Sequence, residues 1–195
     1  MTTDKPGKSI IGFDMDGVLI DHLKNKLALA ANYGILLQPE ETHSEILFQK
    51  LAIEDFVAFQ NELYGDTPFA LSAPVMEGAI LVLRALRSAE VPMVLISQRY
   101  DPAVAVKLLQ TSGLWGEFFD ERNAFFVRKS EEKNLIGKRE GVTHYFDDQR
   151  RVLLVMPDIK KKFLVDKFQQ FEDNEAFVRL FDWAMIHREI IPGVK

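Results

Sequence analysis

An α/β fold built on a doubly wound, Rossmann-like parallel sheet is what this 195-residue chain predicts. Three observations carry the prediction. Short, wholly apolar runs, "IIGF" at Ile10–Phe13 and "VPMVLIS" at Val91–Ser97, read as strands covered on both faces. Segments of helical spacing with glycine stops lie between and after them, and this alternation is the mark of parallel strands joined by crossover helices. Polar residues gather where apolar runs end, and in an open parallel sheet that edge is where ligands bind.

Taken in order, the first strand covers Ser9–Phe13. From His22 to about Ala73 nothing resembles a parallel strand. "LKNKLALAANYG" has helical spacing and stops at Gly34, and "ETHSEILFQKLAIEDFVAFQNELYG" reads as one or two helices ending at Gly65. The expected organisation is therefore a core of residues 1–21 and 74–195 interrupted by a small helical insert, 22–73. After Pro74, "VMEGAILVLRALRSAE" is helical and "MVLIS" is a strand. Asp101 and Pro102 open a helix that Gly113 closes. "AFFV" at Ala124–Val127 is a strand. "SEEKNLIGKREG" is a helix with Ser130 as cap and Gly141 as stop, and "THYF" is a strand ending at Asp147 and Asp148. From Gln149 onward the expectation is helical, with Asn174 capping a last helix over "EAFVRLFDWAMIHRE" as part of a set of C-terminal helices.

Composition narrows the function classes. The formal net charge is −5 and there is no long basic block, so no nucleic-acid partner is expected. With no cysteine, neither disulfides nor thiolate-bound metal is available. The first residues, "MTTDKPGKS", lack the apolar core of a signal peptide, and no run approaches the ~18–20 apolar residues of a membrane span. A cytoplasmic protein with no membrane contact is the expectation.

The strand ends carry the chemistry. Asp14 and Asp16 follow the first strand, Ser97 ends the second, and Asp147 and Asp148 end the "THYF" strand. A crossover helix begins at the same edge, which brings Lys129 and Lys133 there. Carboxylates crowded together repel one another and rise in pKa. A hard cation relieves the conflict, and Mg2+ suits one or two carboxylates plus a phosphate.

These residues resemble the motifs of the haloacid dehalogenase-like hydrolases. "DMDGVLID" is similar to the first motif, "VLIS" to the second, and "KNLIGKREGVTHYFDD" to the lysine motif followed by an apolar strand and paired acids. The match covers Ser9–Asp21 and Glu77–Val155. The resemblance implies a phosphatase acting on a small phosphorylated metabolite. It implies Asp14 as nucleophile, Asp16 as proton donor and acceptor, and Ser97, Lys133 and Gly17 around the phosphate. Asp14, the Asp16 carbonyl, Asp148 and Asp147 would hold Mg2+. The insert at 22–73 would be a cap over the site. An acid two residues after the nucleophile suits departure of phosphate from an alcohol, which needs a proton, and not dehalogenation, which does not.

Several assignments stay open at this level. Lys129 and Lys133 both fit the lysine role, and the roles of Asp147 and Asp148 are not separated. Arg99, Lys24 and Arg150 are placed near the rim as partners for an anion, and His22 at its mouth. His43, His144 and His187 read as structural or surface residues, and the phenylalanines of the last third as packing groups. The competing function class is a binding or regulatory protein that keeps the fold and acts through its insert or C-terminal helices.

Overall fold

The computed structural model describes residues 9–191. The outer ends of the expected core range, 1–8 and 192–195, lie outside them.

Six short strands form one parallel sheet: β1 (Ile11–Phe13), β2 (Met93–Gln98), β3 (Ala124–Val127), β4 (His144–Asp147), β5 (Lys161–Val165) and β6 (Val178–Leu180). Their order is β3-β2-β1-β4-β5-β6, every pair parallel. The chain builds outward from β1 in one direction through β3, then returns to the other side of β1 with β4. The reversal opens a crevice at the carboxyl ends of β1 and β4. Register brings Phe13 level with Leu95 and Phe146. Asp14 therefore emerges beside Asp147, and its N–H donates to the Phe146 carbonyl at 2.8 Å.

Apolar side chains hold that register from both faces. On one face Phe13, Phe146 and Phe163 stack across three adjacent strands, with ring centroids 5.4 and 4.6 Å apart, and Trp183 lies 5.7 Å from Phe13. Such offset stacks add to the area they bury. The opposite face is filled by Val94, Ile96, Tyr145, Leu164 and their neighbours. Gly12 is required there, because a Cβ would lie 2.6 Å from Tyr145 Cδ2.

Eight helices accompany the sheet: α1 (Leu23–Asn32), α2 (Ser44–Leu47), α3 (Ile53–Tyr64), α4 (Ala79–Ser88), α5 (Pro102–Thr111), α6 (Ser130–Arg139), α7 (Arg150–Leu154) and α8 (Trp183–Ile190) among the described residues. The Asp101 carboxylate caps α5 by accepting from the Ala103 and Val104 N–H groups. The helices α1 to α3 share an apolar cluster of their own, centred on Leu29, Leu47, Phe59 and Leu63. Among the described residues no helix is long and apolar enough to cross a membrane.

Beyond Gln149 the sequence expectation needs correction. Only α7, five residues long, follows directly, and two strands come before a single C-terminal helix. β5 begins on two lysines, which mask its buried Phe163–Val165 portion. The three-residue β6 was absorbed into the helical reading of "EAFVRLFDWAMIHRE". Asn174 does not cap that helix; its side chain accepts from the Ala176 N–H in a turn, and Asp182 caps α8 through the Met185 N–H. Ser130 is the first residue of α6, not its cap, and α4 starts at Ala79, after Gly78 has turned the chain at φ 84°.

The helix α8 is tied to the loop after β1, where Trp183 Nε1 donates to the Val18 carbonyl at 2.9 Å in a buried setting. Trp183→Phe should lower unfolding free energy by about 1–3 kcal/mol, because it leaves a buried carbonyl without its donor. Urea denaturation checks this; an unchanged midpoint would show that the bond contributes nothing.

Candidate active site at the carboxyl ends of β1 and β4

The loop after β1 is short and tightly bonded. Leu19 and Ile20 N–H groups both donate to the Met15 carbonyl at 2.9 Å, and the Gly17 N–H to the Ile20 carbonyl at 2.9 Å. This turn presents Asp14 to the crevice and sends Asp16 to one side. Gly17 has φ 81°, a backbone that favours glycine, and a Cβ there would collide with Asp148 Oδ2. The expected glycine thus leaves room for a carboxylate.

Asp14, Asp147 and Asp148 each bring one carboxylate oxygen within 4.8 Å of the others, and all three residues are buried. Lys133, 1% exposed, reaches this cluster from the first turn of α6. Its Nζ lies 3.0 Å from Asp14 Oδ1 and 2.8 Å from Asp147 Oδ2. Burial alone would lower the lysine's pKa, yet Asp14 and Asp147 hold it well above the ordinary value. Lys129 is exposed at the helix start and reaches no acid of the cluster.

The paired acids separate in role. Asp147 has both oxygens engaged: Oδ2 with Lys133, and Oδ1 accepting from the Gln149 N–H at 2.9 Å. Asp148 Oδ1 is buried and accepts no hydrogen bond, and Asp14 Oδ1 meets only the Lys133 ammonium. Burial pushes both Asp147 and Asp148 up; Lys133 pulls Asp147 back and Asp14 raises it again, while Asp14 raises Asp148 further against the pull of Lys26 and Lys133. Crowded, desolvated carboxylates with open lone pairs fit a hard divalent cation. Ser97 Oγ, 1% exposed at the end of β2, is also without a partner, leaving a hydroxyl to donate to an incoming oxyanion.

Asp16 stands apart from the cluster. Its Oδ1 lies 2.6 Å from Arg99 Nη2 and 2.6 Å from His22 Nε2. Burial would raise its pKa, but Arg99 and then His22 hold it well below the usual carboxylate range. Arg99 is itself buried, its guanidinium 4.5 Å from the ring centre of Tyr64, the last residue of α3. Burial lowers the His22 pKa, which Asp16 only partly offsets. Of the other rim cations, Lys24 is exposed, and Arg150 pairs with Glu45 at 2.6 Å.

Three contributors were not visible in the sequence reading. His43, which the sequence leaves as a structural or surface residue, donates from Nε2 to the Asp148 carbonyl at 2.8 Å and accepts at Nδ1 from the Glu45 N–H. Tyr64 had no signal beyond its place near a helix end. Lys26 lines a cavity of about 60 Å3 together with His22, His43, Asp148 and Lys167. Its position one turn into α1, just past the acids, was the available clue.

Two measurements follow from this geometry. Gly17→Ala should weaken Mg2+ binding by roughly tenfold or more, since a displaced Asp148 loses a charge-assisted contact; calorimetric titration showing unchanged affinity would exclude Asp148 from the metal site. Without metal, Asp147 and Asp148 bind protons more tightly folded than unfolded. Their share of stability must then fall as pH rises from about 4, the ordinary carboxylate value, toward neutrality, while His22 and His43, which burial holds below the ordinary imidazole value, contribute the opposite sign. Thermal melts with Mg2+ and with chelator have these histidines in common, so the stabilisation by Mg2+ over chelator should grow from about pH 4 toward neutrality; a difference that stays flat or shrinks over that window would contradict the crowding.

No family model and no curated protein matches the chain. Solved structures do. A haloacid dehalogenase family hydrolase from Deinococcus radiodurans R1, crystallised with bound phosphate and sodium, is similar at TM-score 0.62 and 18% identity, covering 95% of this chain and 96% of that one. A haloacid dehalogenase superfamily hydrolase of subfamily IA from Geobacter sulfurreducens PCA matches at TM-score 0.59 and 16% identity, over 97% and 98% of the two chains. The L-2-haloacid dehalogenase RSc1362 matches at TM-score 0.57 and 11% identity, over 93% and 98%. At these identities the likeness establishes the architecture, and with the parallel sheet and its β1–β4 crevice it shows that this chain has the fold of the haloacid dehalogenase-like hydrolases.

Proposed function

We propose that the protein is a magnesium-dependent phosphatase that hydrolyses a small phosphoester through an aspartyl-phosphate on Asp14. The carrying observation is Lys133 buried between Asp14 and Asp147, with Asp148 Oδ1 and Ser97 Oγ left without partners. A buried array of this kind suits a phosphoryl group, whose transfer depends mainly on positioning and charge.

In the first step an Asp14 oxygen forms a bond to phosphorus and the bond from phosphorus to the leaving oxygen breaks. Asp16 gives that oxygen a proton. In the second step water attacks the phosphorus, Asp16 takes the water's proton, and Asp14 departs as carboxylate. Lys133 offsets the negative charge that Asp14 and the phosphoryl oxygens bring together, and Ser97 Oγ donates to one of those oxygens. A divalent ion held by Asp14, Asp148 and the Asp16 carbonyl supplies further charge neutralisation when bound. Arg99 and His22 hold Asp16 in the form that accepts a proton. To act as acid in the first step, Asp16 must exchange these partners for a proton and the leaving oxygen.

Residues 22–73 are proposed as a cap. Three of their contacts with the remainder fall at the site, Tyr64 on Arg99, His43 on the Asp148 carbonyl and Glu45 on Arg150, while Asp66 pairs with Lys107 on α5 away from it. A lid resting on the acids' own partners would couple closure to the catalytic geometry.

Phosphate release from a panel of phosphoesters tests the reading. Turnover should require Mg2+ and fall by about 10³-fold or more in Asp14→Asn, roughly 4 kcal/mol of barrier. Asp16→Ala should lose ~10²–10⁴-fold with alkyl phosphates and far less with p-nitrophenyl phosphate, whose leaving group needs no proton. Activity that survives Asp14→Asn would sink the mechanism. Absence of turnover in a folded, Mg2+-binding protein would favour the binding-protein reading.

A further inference from the structure

Lys26 is not used by this mechanism. It is half-buried on α1, and among the described residues no carboxylate lies within 4.0 Å of its Nζ, the distance at which every ion pair of the site is found. The acids whose charge acts on it are Asp148, Asp16 and Asp21. Two of these are committed elsewhere. Asp16 is taken by Arg99 and His22, and Asp21 pairs with Lys167 at 3.0 Å and accepts from the Leu23 N–H. Asp148 belongs to the metal cluster. A desolvated ammonium without a counter-charge is expensive to keep.

The cavity that Lys26 lines supplies a reason. Its walls include Gly17 and Asp148, but not Asp14, Asp16, Lys133 or Ser97, so Asp148 is the wall that the cavity shares with the acid cluster. Other charges in the wall cancel locally, Lys167 against Asp21 and Asp166 against Arg179. At about 60 Å3 the cavity is several times the ~10–15 Å3 that one water needs. It admits a group of a few heavy atoms.

We propose that Lys26 is a specificity residue whose cavity receives a second anionic group, a carboxylate or a further phosphate, carried on the leaving alcohol of the substrate. The assignment rests on the phosphatase reading for what occupies the Lys133–Ser97 side. It narrows the substrate class to phosphoesters with two separated anionic groups. A bland counter-ion role for Lys26 toward Asp148 would act on the metal instead, and the two are separable by experiment.

The test uses binding, so that it does not depend on turnover. Asp14→Asn, alone and combined with Lys26→Gln or Lys26→Arg, is titrated calorimetrically in Mg2+ with 2-phosphoglycolate, propane-1,3-diol bisphosphate and ethyl phosphate. Thermal melts confirm that each variant is folded. The two ligands that carry a second anionic group, or one of them, should bind Asp14→Asn at least about tenfold more tightly than ethyl phosphate, the lower end of one charge-assisted hydrogen bond. Lys26→Gln should abolish that preference, and Lys26→Arg should retain most of it. Which ligand shows the preference distinguishes carboxylate from phosphate. Equal binding of all three ligands, no binding of any, or a preference that survives Lys26→Gln overturns the inference. So does a Lys26→Gln variant that weakens Mg2+ and all ligands alike. A Lys26-dependent preference in a protein whose parent hydrolyses none of these esters would uphold the subsite and sink the phosphatase reading.

Discussion

The ammonium of Lys133, enclosed between Asp14 and Asp147, is the contact on which the site depends. An isolated lysine at the start of a helix is disfavoured, since the helix N-terminus is itself positive. Burial disfavours it further. Lys133 remains charged because two carboxylates from different strands converge on it. Each of those acids needs the lysine as well, for without it three desolvated carboxylates would face one another. Removing one member of such a group leaves an uncompensated buried charge, which is why the parts stand or fall together. The arrangement ties the ends of β1 and β4 to the first turn of α6, so a binding requirement becomes a constraint on the fold.

Asp16 solves a different problem. It lies two residues from Asp14, yet the tight turn through Gly17 sends it away from the cluster to Arg99 and His22. Separation of this kind gives two nearby carboxylates unlike environments, one among other acids and one clamped by donors. The clamp is not local to the loop. Arg99 comes from the end of β2 and carries the ring of Tyr64 from α3 against it. A movement of the helical segment would therefore change what surrounds Asp16 before it changed anything at Lys133.

The legibility of these features in sequence follows their length and locality. Strands β1 to β4 were visible as apolar runs because both of their faces are covered. The set of Asp14, Asp16, Ser97, Lys133, Asp147 and Asp148 was visible because each lies at a strand end or a helix start, where topology alone decides the edge. Strands β5 and β6 were not. A strand that opens with two lysines, and another of three residues set inside an amphipathic pattern, carry no period that distinguishes them from helix. Contacts across the insert were equally hidden. That His43 would meet the Asp148 carbonyl, 105 positions away, depends on how α2 lies over the crevice, and no spacing within the chain encodes it.

The division between Asp147 and Asp148 shows how neighbouring acids in one cluster can have different partners. Asp147 is the last residue of β4 and Asp148 the first beyond it. Both carboxylates reach the same cluster, yet their backbone positions give them different neighbours. Asp147 turns to Lys133 and the Gln149 N–H and is saturated. Asp148 turns toward Gly17 and the cavity, where one oxygen stays open and the backbone carbonyl meets His43. The first acid anchors the lysine, and the second is left for a ligand. A single acid at this position would have to choose between the two. The doublet supplies both, and the glycine at position 17 is what keeps the second one clear.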